Sequence, residues 1–239
     1  YYSSAPLSQT PQAEIIAPDI VRVRPDFEVP VMMFQTESDV VALESYLSRQ
    51  PDSDSFRLWE TAGTAHADYY ITITTNSDTG TDPQVAAVFE SKLFCDKPIN
   101  MGPQHWLTNA AFAALNRWAV SGELPAKAER LTLEGSPVRL ARDAYGIALG
   151  GIRTSYANAP IATLSGEGNS SESFGFCNRL FGTTKLFDAQ TLAALYGDNS
   201  TYVSKVNMAT DEAVALGFLL PEDAALIKAY AAQSDIFGD

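Results

Sequence analysis

PVMMFQTESDVVALESYLSRQPDSDSFRLWETAGTAH, residues 30–66, holds two short apolar runs that each end in chemistry-bearing side chains. The first is apolar around Pro30 from Val29 to Phe34, turns polar at Gln35 and Thr36, and reaches Glu37 and Asp39. That pattern predicts a strand delivering carboxylates at its C-terminal end. The second run, Phe56 to Thr61, gives way to Ala62 and Gly63, where glycine lets the backbone turn sharply and present His66 in a loop. Between them, Val40 to Arg49 lacks Gly and Pro and places Val40, Leu43, Tyr46 and Leu47 at helical spacing, so a crossover helix is expected there, followed by a turn over residues 50–55.

Two parallel strands joined by a helix bring their carboxyl ends to one crevice, where open α/β sheets bind ligands. A carboxylate bonded to one imidazole nitrogen sets the tautomer and leaves the other nitrogen free to take a proton. The spacing therefore points to an acid–imidazole pair. Asp39 is the preferred acid and Glu37 the alternative, with His66 the base.

Here the residues resemble a known superfamily. PVMMFQTESD is similar to the acid-bearing strand of α/β-hydrolases, in which the acid stands nine positions after the proline, as Asp39 does after Pro30. GTAHAD resembles their histidine loop. More narrowly, TESD, AGTAHAD, NMGPQHWLTNAAFAALNRW, GIALGGIR and FGTTKLFDAQTLAALY, in that order, resemble the "alpha/beta hydrolase domain" family of proposed esterases from about Pro25 onward. The resemblance implies an α/β fold and a serine carboxylic-ester hydrolase with a Ser-Asp39-His66 triad, an ester substrate and no cofactor. It also implies a nucleophile carried as G-x-S-x-G ahead of the acid and histidine, and no G-x-S-x-G occurs in the sequence. The expectation is thus the C-terminal part of a hydrolase sheet, strand-helix-strand-helix, with the serine supplied by an N-terminal portion or a second chain. The alternative is a catalytically silent hydrolase-like module for binding or assembly.

The remaining signals bound these readings. At 239 residues with 46% hydrophobic content the chain can bury a real core. A formal charge of -13, with 16 scattered Lys and Arg, argues against binding a phosphate backbone. No run approaches the roughly 18 apolar residues of a membrane span, and the start, YYSSAPLSQT, lacks a signal-peptide pattern. A first residue other than Met suggests removal of an upstream segment. Cys95 and Cys177 are too few for a disulfide scaffold or structural zinc, but would pair in an oxidising compartment; two buried thiols are the alternative. Sequons at Asn169 and Asn199 fit a secreted glycoprotein.

Two regions are expected: residues 1–125 as the hydrolase-core part, and 126–239 as a family-specific extension of mixed β and helical structure. In the first, residues before Ile20 read as a linker or broken end, Ile20–Arg24 as a possible strand and Tyr69–Thr75 as a strand or lid segment. Residues 77–83 read as a loop, Gln84–Lys92 as helical, and about His105–Val120 as a helix with Leu107, Ala111, Ala114, Leu115 and Trp118 in one apolar stripe. In the second, glycine-punctuated short strands follow Leu131, residues 162–177 read as loop-like, and FGTTKLF is expected to pack down. Helices are then expected over Ala189–Tyr196 capped by Asp188, from Ser200 or Thr201 to Leu216, and from Pro221 to about Gln233. At Gly150 and Gly151 a bulge or tight turn is favoured over close approach to another surface. Asp68 is read as a cap for the turn after His66, and His105 as a helix-start residue. A metal site from Glu37, Asp39, His66, Asp68 and His105 lacks any dense ligand spacing. The serines of 165–171 follow the histidine and sit on no strand-to-helix elbow, and neither cysteine has a histidine nearby in sequence.

Overall fold

The computed structural model describes residues 20–74, 94–172 and 175–238. The expected linker before Ile20, the loop over 77–83 and the helix over 84–92 lie outside them.

At the centre, β1 (Val31–Gln35) runs parallel to β2 (Phe56–Glu60), with Val31 opposite Phe56 and Gln35 opposite Glu60. Every residue of β2 is buried, whereas β1 is half-buried along its length. The apolar runs form strands because each packs against a helix. The helix α3 (Gln104–Ser121) lays Leu107, Ala110, Ala111, Ala114 and Trp118 inward, and Leu107 and the three alanines share a cluster with Trp59, Ile152 and Phe218. Leu115, expected in that stripe, is half-buried. Gly122, in the left-handed conformation, ends the helix. Trp59 meets the Phe218 ring edge-on at 5.1 Å and donates through Nε1 to the Ala126 carbonyl at 2.9 Å. Residues from both sides of position 125 thus share one cluster.

The crossover differs from expectation. In place of one helix over Val40–Arg49, a four-residue helix α1 (Glu37–Val40) starts three residues earlier and a 3₁₀ turn covers Ser45–Ser48. The cause is local. Thr36 and Asp39 form a capping box that nucleates α1 at the strand's end, and Glu44 takes a left-handed conformation (φ 57°) between the two pieces. Arg49 then reaches back to Glu60 with a bidentate ion pair, 2.6 and 2.5 Å, and to the Leu131 carbonyl.

Two further expectations are corrected. Residues 20–24 form no strand; Val23 exchanges hydrogen bonds with the Gln50 side chain instead. YYITIT is helical, α2 (Tyr69–Thr74), because Asp68 Oδ1 accepts from the Ile71 amide and starts a helical turn despite the β-branched residues.

The second half begins with a small antiparallel pair, β3 (Leu133–Glu134) and β4 (Arg139–Leu140). Its continuation returns to the central strands: Ile152 pairs parallel with Thr61, donating to the Glu60 carbonyl at 2.7 Å and accepting from Ala62 at 3.0 Å. Gly150 and Gly151 make this return possible. Both have positive φ, and a Cβ on Gly150 would lie 2.3 Å from the Arg130 carbonyl oxygen. The turn reading and the close-approach reading hold together there.

After α4 (Ser155–Asn158), the segment read as loop-like carries a strand, β5 (Ala162–Ser165), antiparallel to β6 (Thr183–Leu186). β5 is too short for a two-residue alternation to stand out in sequence. Between them a π-turn covers Cys177–Phe181, and Cys177 is disulfide-bonded to Cys95 across a separation of 82 residues. Three helices close the chain: α5 (Ala189–Tyr196) capped by Asp188, α6 (Asn199–Ala215) capped by Asp198, and α7 (Pro221–Gln233) opened by its proline. They pack around Tyr196, Tyr202, Val206 and Ile227 together with Trp106 of α3. Among the described residues, no helix is long and apolar enough to cross a membrane.

Candidate active site

The polar end of β1 and the glycine turn after β2 place Asp39 and His66 side by side. Asp39 Oδ1 lies 2.7 Å from His66 Nδ1, while Oδ2 accepts from the Thr36 amide at 2.8 Å and the Thr36 hydroxyl at 2.6 Å. One carboxylate therefore completes the α1 cap and holds the imidazole. The His66 side chain remains 46% exposed and that of Asp39 14%. The hydrogen bond to Asp39 raises the imidazole pKa above its ordinary value, against the opposing effect of partial burial. With Nδ1 held by the carboxylate, Nε2 is the nitrogen open for proton transfer.

Glu37 occupies a different place. It is fully buried, and its carboxylate accepts from the Gly63 amide (2.7 Å), the Gly166 amide (3.0 Å) and the Arg142 guanidinium (2.8 Å). Burial pushes its pKa up; Arg142 and the two amides pull against that shift. Because Glu37 and Asp39 sit on a helical turn and not on a regular strand, they diverge: one points into the protein, the other along its surface to His66. Arg142 also donates to Ser165 Oγ and to Glu167, and its pKa is raised, the two carboxylates outweighing the lowering effect of its own burial.

The histidine loop is fastened along its length. The His66 amide donates to Ser38 Oγ at 3.3 Å, and that hydroxyl donates to the Gly166 carbonyl at 2.7 Å. Gly166 packs so closely on α1 that an added Cβ would lie 2.5 Å from the Ser38 nitrogen. Gln104 Nε2 donates to the His66 carbonyl at 3.4 Å, and buried Asn100 donates to the Gly63 and Ser165 carbonyls. Further along, the amides of Ala67 and Tyr69 donate to the carbonyls of Leu180 and Asn100. The Cys95–Cys177 disulfide joins the two segments that carry these acceptors.

Of the supporting residues, Ser38, Arg142 and Gly166 were not singled out by the sequence. Thr36 had a signal: T-x-x-D ahead of Val40 is a capping pattern.

The other candidates are dispersed. Asp68 is buried, caps α2, and has its pKa pushed up to about 7 by burial. The N-cap of α3 is Pro103, and the His105 ring stacks on Tyr70 at 3.9 Å. Among the described residues no group of three or more His, Cys, Asp or Glu is arranged to hold a metal ion. No described serine or cysteine hydrogen-bonds to the His66 ring. Both sequon asparagines are internally engaged: buried Asn169 donates to the Lys97 and Gly182 carbonyls, and Asn199 bridges Ser234 and Ile236.

A parallel strand pair that carries an acid–histidine couple at its carboxyl end is an α/β arrangement. The chain belongs to the family described as "Alpha/beta hydrolase domain", whose model matches residues 1–229. The match is wider than the expected start near Pro25 and does not bear out the reading of a C-terminal portion only. No curated protein and no solved structure matches the chain.

Proposed function

We propose that the chain supplies the acid and base of a serine carboxylic-ester hydrolase, with His66 as general base and Asp39 as its orienting acid. The observation that carries this reading is the 2.7 Å contact between Asp39 Oδ1 and His66 Nδ1 on an imidazole that is still half exposed. In the reaction, His66 Nε2 takes the serine hydroxyl proton as the oxygen attacks the ester carbonyl. The imidazolium then protonates the departing alcohol, leaving an acyl-serine. Water, deprotonated by the same nitrogen, releases the acid and restores the serine. Asp39 holds the ring and stabilises the imidazolium.

In this reading the serine and the oxyanion donors are supplied from outside the described residues, since the sequence has no G-x-S-x-G and no described serine bonds to the ring. A protein of this kind made in an oxidising compartment would retain the Cys95–Cys177 link, which fits secretion.

The test is fluorophosphonate labelling of the native preparation, followed by peptide mapping, with His66→Ala as the comparison. Labelling of a serine in wild type, lost in a His66→Ala protein of unchanged thermal midpoint, is the expected result. Absence of any labelled serine, or a His66→Ala variant that loses stability but not labelling, would mean that the pair serves structure in a silent binding module.

A further inference from the structure

We propose that the partly open cavity lined by the β5–β6 hairpin and helices α4, α6 and α7 is a binding site for an uncharged, hydrocarbon-rich small molecule. Its volume is about 340 Å³, within the range of roughly 300–1,000 Å³ in which small-molecule sites fall. The walls are built by Trp106, Leu164, Leu186, Val206, Ile227 and Ile236. Protein interiors pack to crystal-like density, so a void of this size in apolar walls is an exception, and dry apolar cavities take up apolar guests.

The polar groups of the lining define the ligand's charge. Among the described residues no lysine, arginine or histidine contributes. The Tyr156 hydroxyl accepts from Trp106 Nε1 at 3.3 Å, and the Thr184 hydroxyl is occupied by the Ile99 carbonyl and the Met101 amide. Burial raises the pKa of Tyr156 and pushes Tyr202 up to about 12, so both phenols stay neutral. The one acidic side chain among the described lining residues is Asp235, an exposed residue beyond α7. A site with a carboxylate at its mouth and no cation within disfavours anions and accepts neutral hydrocarbon.

None of Glu37, Asp39, His66 or Arg142 lines this space, so the inference stands independently of the hydrolase reading. The two are neighbours all the same: Trp106 follows by one turn-half the Gln104 side chain that holds the His66 carbonyl.

The test uses fluorescence titration with N-phenyl-1-naphthylamine, which is uncharged, and 1-anilinonaphthalene-8-sulfonate, which adds an anion to the same rings. Saturable one-to-one binding of the neutral probe is expected, with the sulfonate about ten-fold weaker or more. Ala231→Trp fills the cavity from α7 and should weaken the neutral probe about ten-fold at unchanged circular dichroism. Should that variant fail to fold, Asp235→Lys, altered at an exposed position, should raise sulfonate affinity several-fold. Absence of saturable neutral binding in wild type, unchanged affinity in folded Ala231→Trp, or an unchanged probe preference in Asp235→Lys would overturn the proposal.

Discussion

Replacing Glu37 with glutamine removes one charge from a fully buried site while keeping its volume. The wild-type carboxylate receives three donors, the amides of Gly63 and Gly166 and the Arg142 guanidinium, which oppose the burial that raises its pKa and each depend on an acceptor oxygen at this position. Glutamine keeps one acceptor oxygen and turns an amide NH₂ towards a backbone N–H, donor against donor. Breaking a buried ion pair by deleting one partner costs about 3–5 kcal/mol. Arg142 retains Glu167 at 2.9 Å and is 23% exposed, which places the expected loss near the lower end, about 3 kcal/mol. Urea denaturation at pH 7 measures it, with the m-value checking that the unfolded state is unchanged. A cycle with Arg142→Met should return a coupling of more than about 1 kcal/mol. A loss below about 1 kcal/mol at constant m would refute the claim that Glu37 is the peg joining the histidine loop to Gly166.

Asp39→Asn should return the His66 pKa towards 6.5, because a neutral amide replaces the carboxylate that bonds the imidazolium, as followed by NMR titration of the imidazole. In the wild type the raised value means that the Asp39–imidazolium pair stabilises the fold below about pH 6.5 and fades as pH rises through the folded pKa; at 46% exposure the increment is small. An unshifted titration in Asp39→Asn would contradict the assignment. Asp68 carries the same sign for a different reason, burial disfavouring its charged form: its folded pKa of about 7 exceeds the unfolded value near 3.8, so stability declines as pH rises through that interval, by about 4 kcal/mol at most. Asp68→Asn keeps an acceptor for the Ile71 amide and should flatten the pH dependence, gaining stability at pH 8 in thermal melts; an unaltered profile would exclude Asp68 as its source.

What could be read from the sequence was whatever local periodicity and capping encode. Both central strands, α3 with its terminal glycine, and the three final helices follow from apolar spacing and end signals, and the nine-residue offset from Pro30 marks Asp39. Over Val40–Leu47 apolar spacing suggests one helix, but the capping pattern at Thr36 decides where the four-residue helix begins. The β-branched composition of YYITIT suggests a strand, but the acceptor at Asp68 starts a helical turn. Arg142 and Gly166 were illegible: each acts on Glu37 from more than a hundred positions away, and nothing in a one-dimensional pattern marks such a meeting. Asn169 likewise reads as a sequon and serves as a buried crosslink.

The two oxygens of Asp39 have a mechanical consequence. A carboxylate swings about two side-chain torsions, and here the Thr36 amide and hydroxyl clamp one oxygen before the imidazole is considered. The other oxygen therefore stands at a position inherited from the backbone of residues 36–39, and the ring that meets it has its own amide tethered to Ser38. Ordering the imidazole is completed when the chain folds, so any group docking at Nε2 need not itself freeze those rotors.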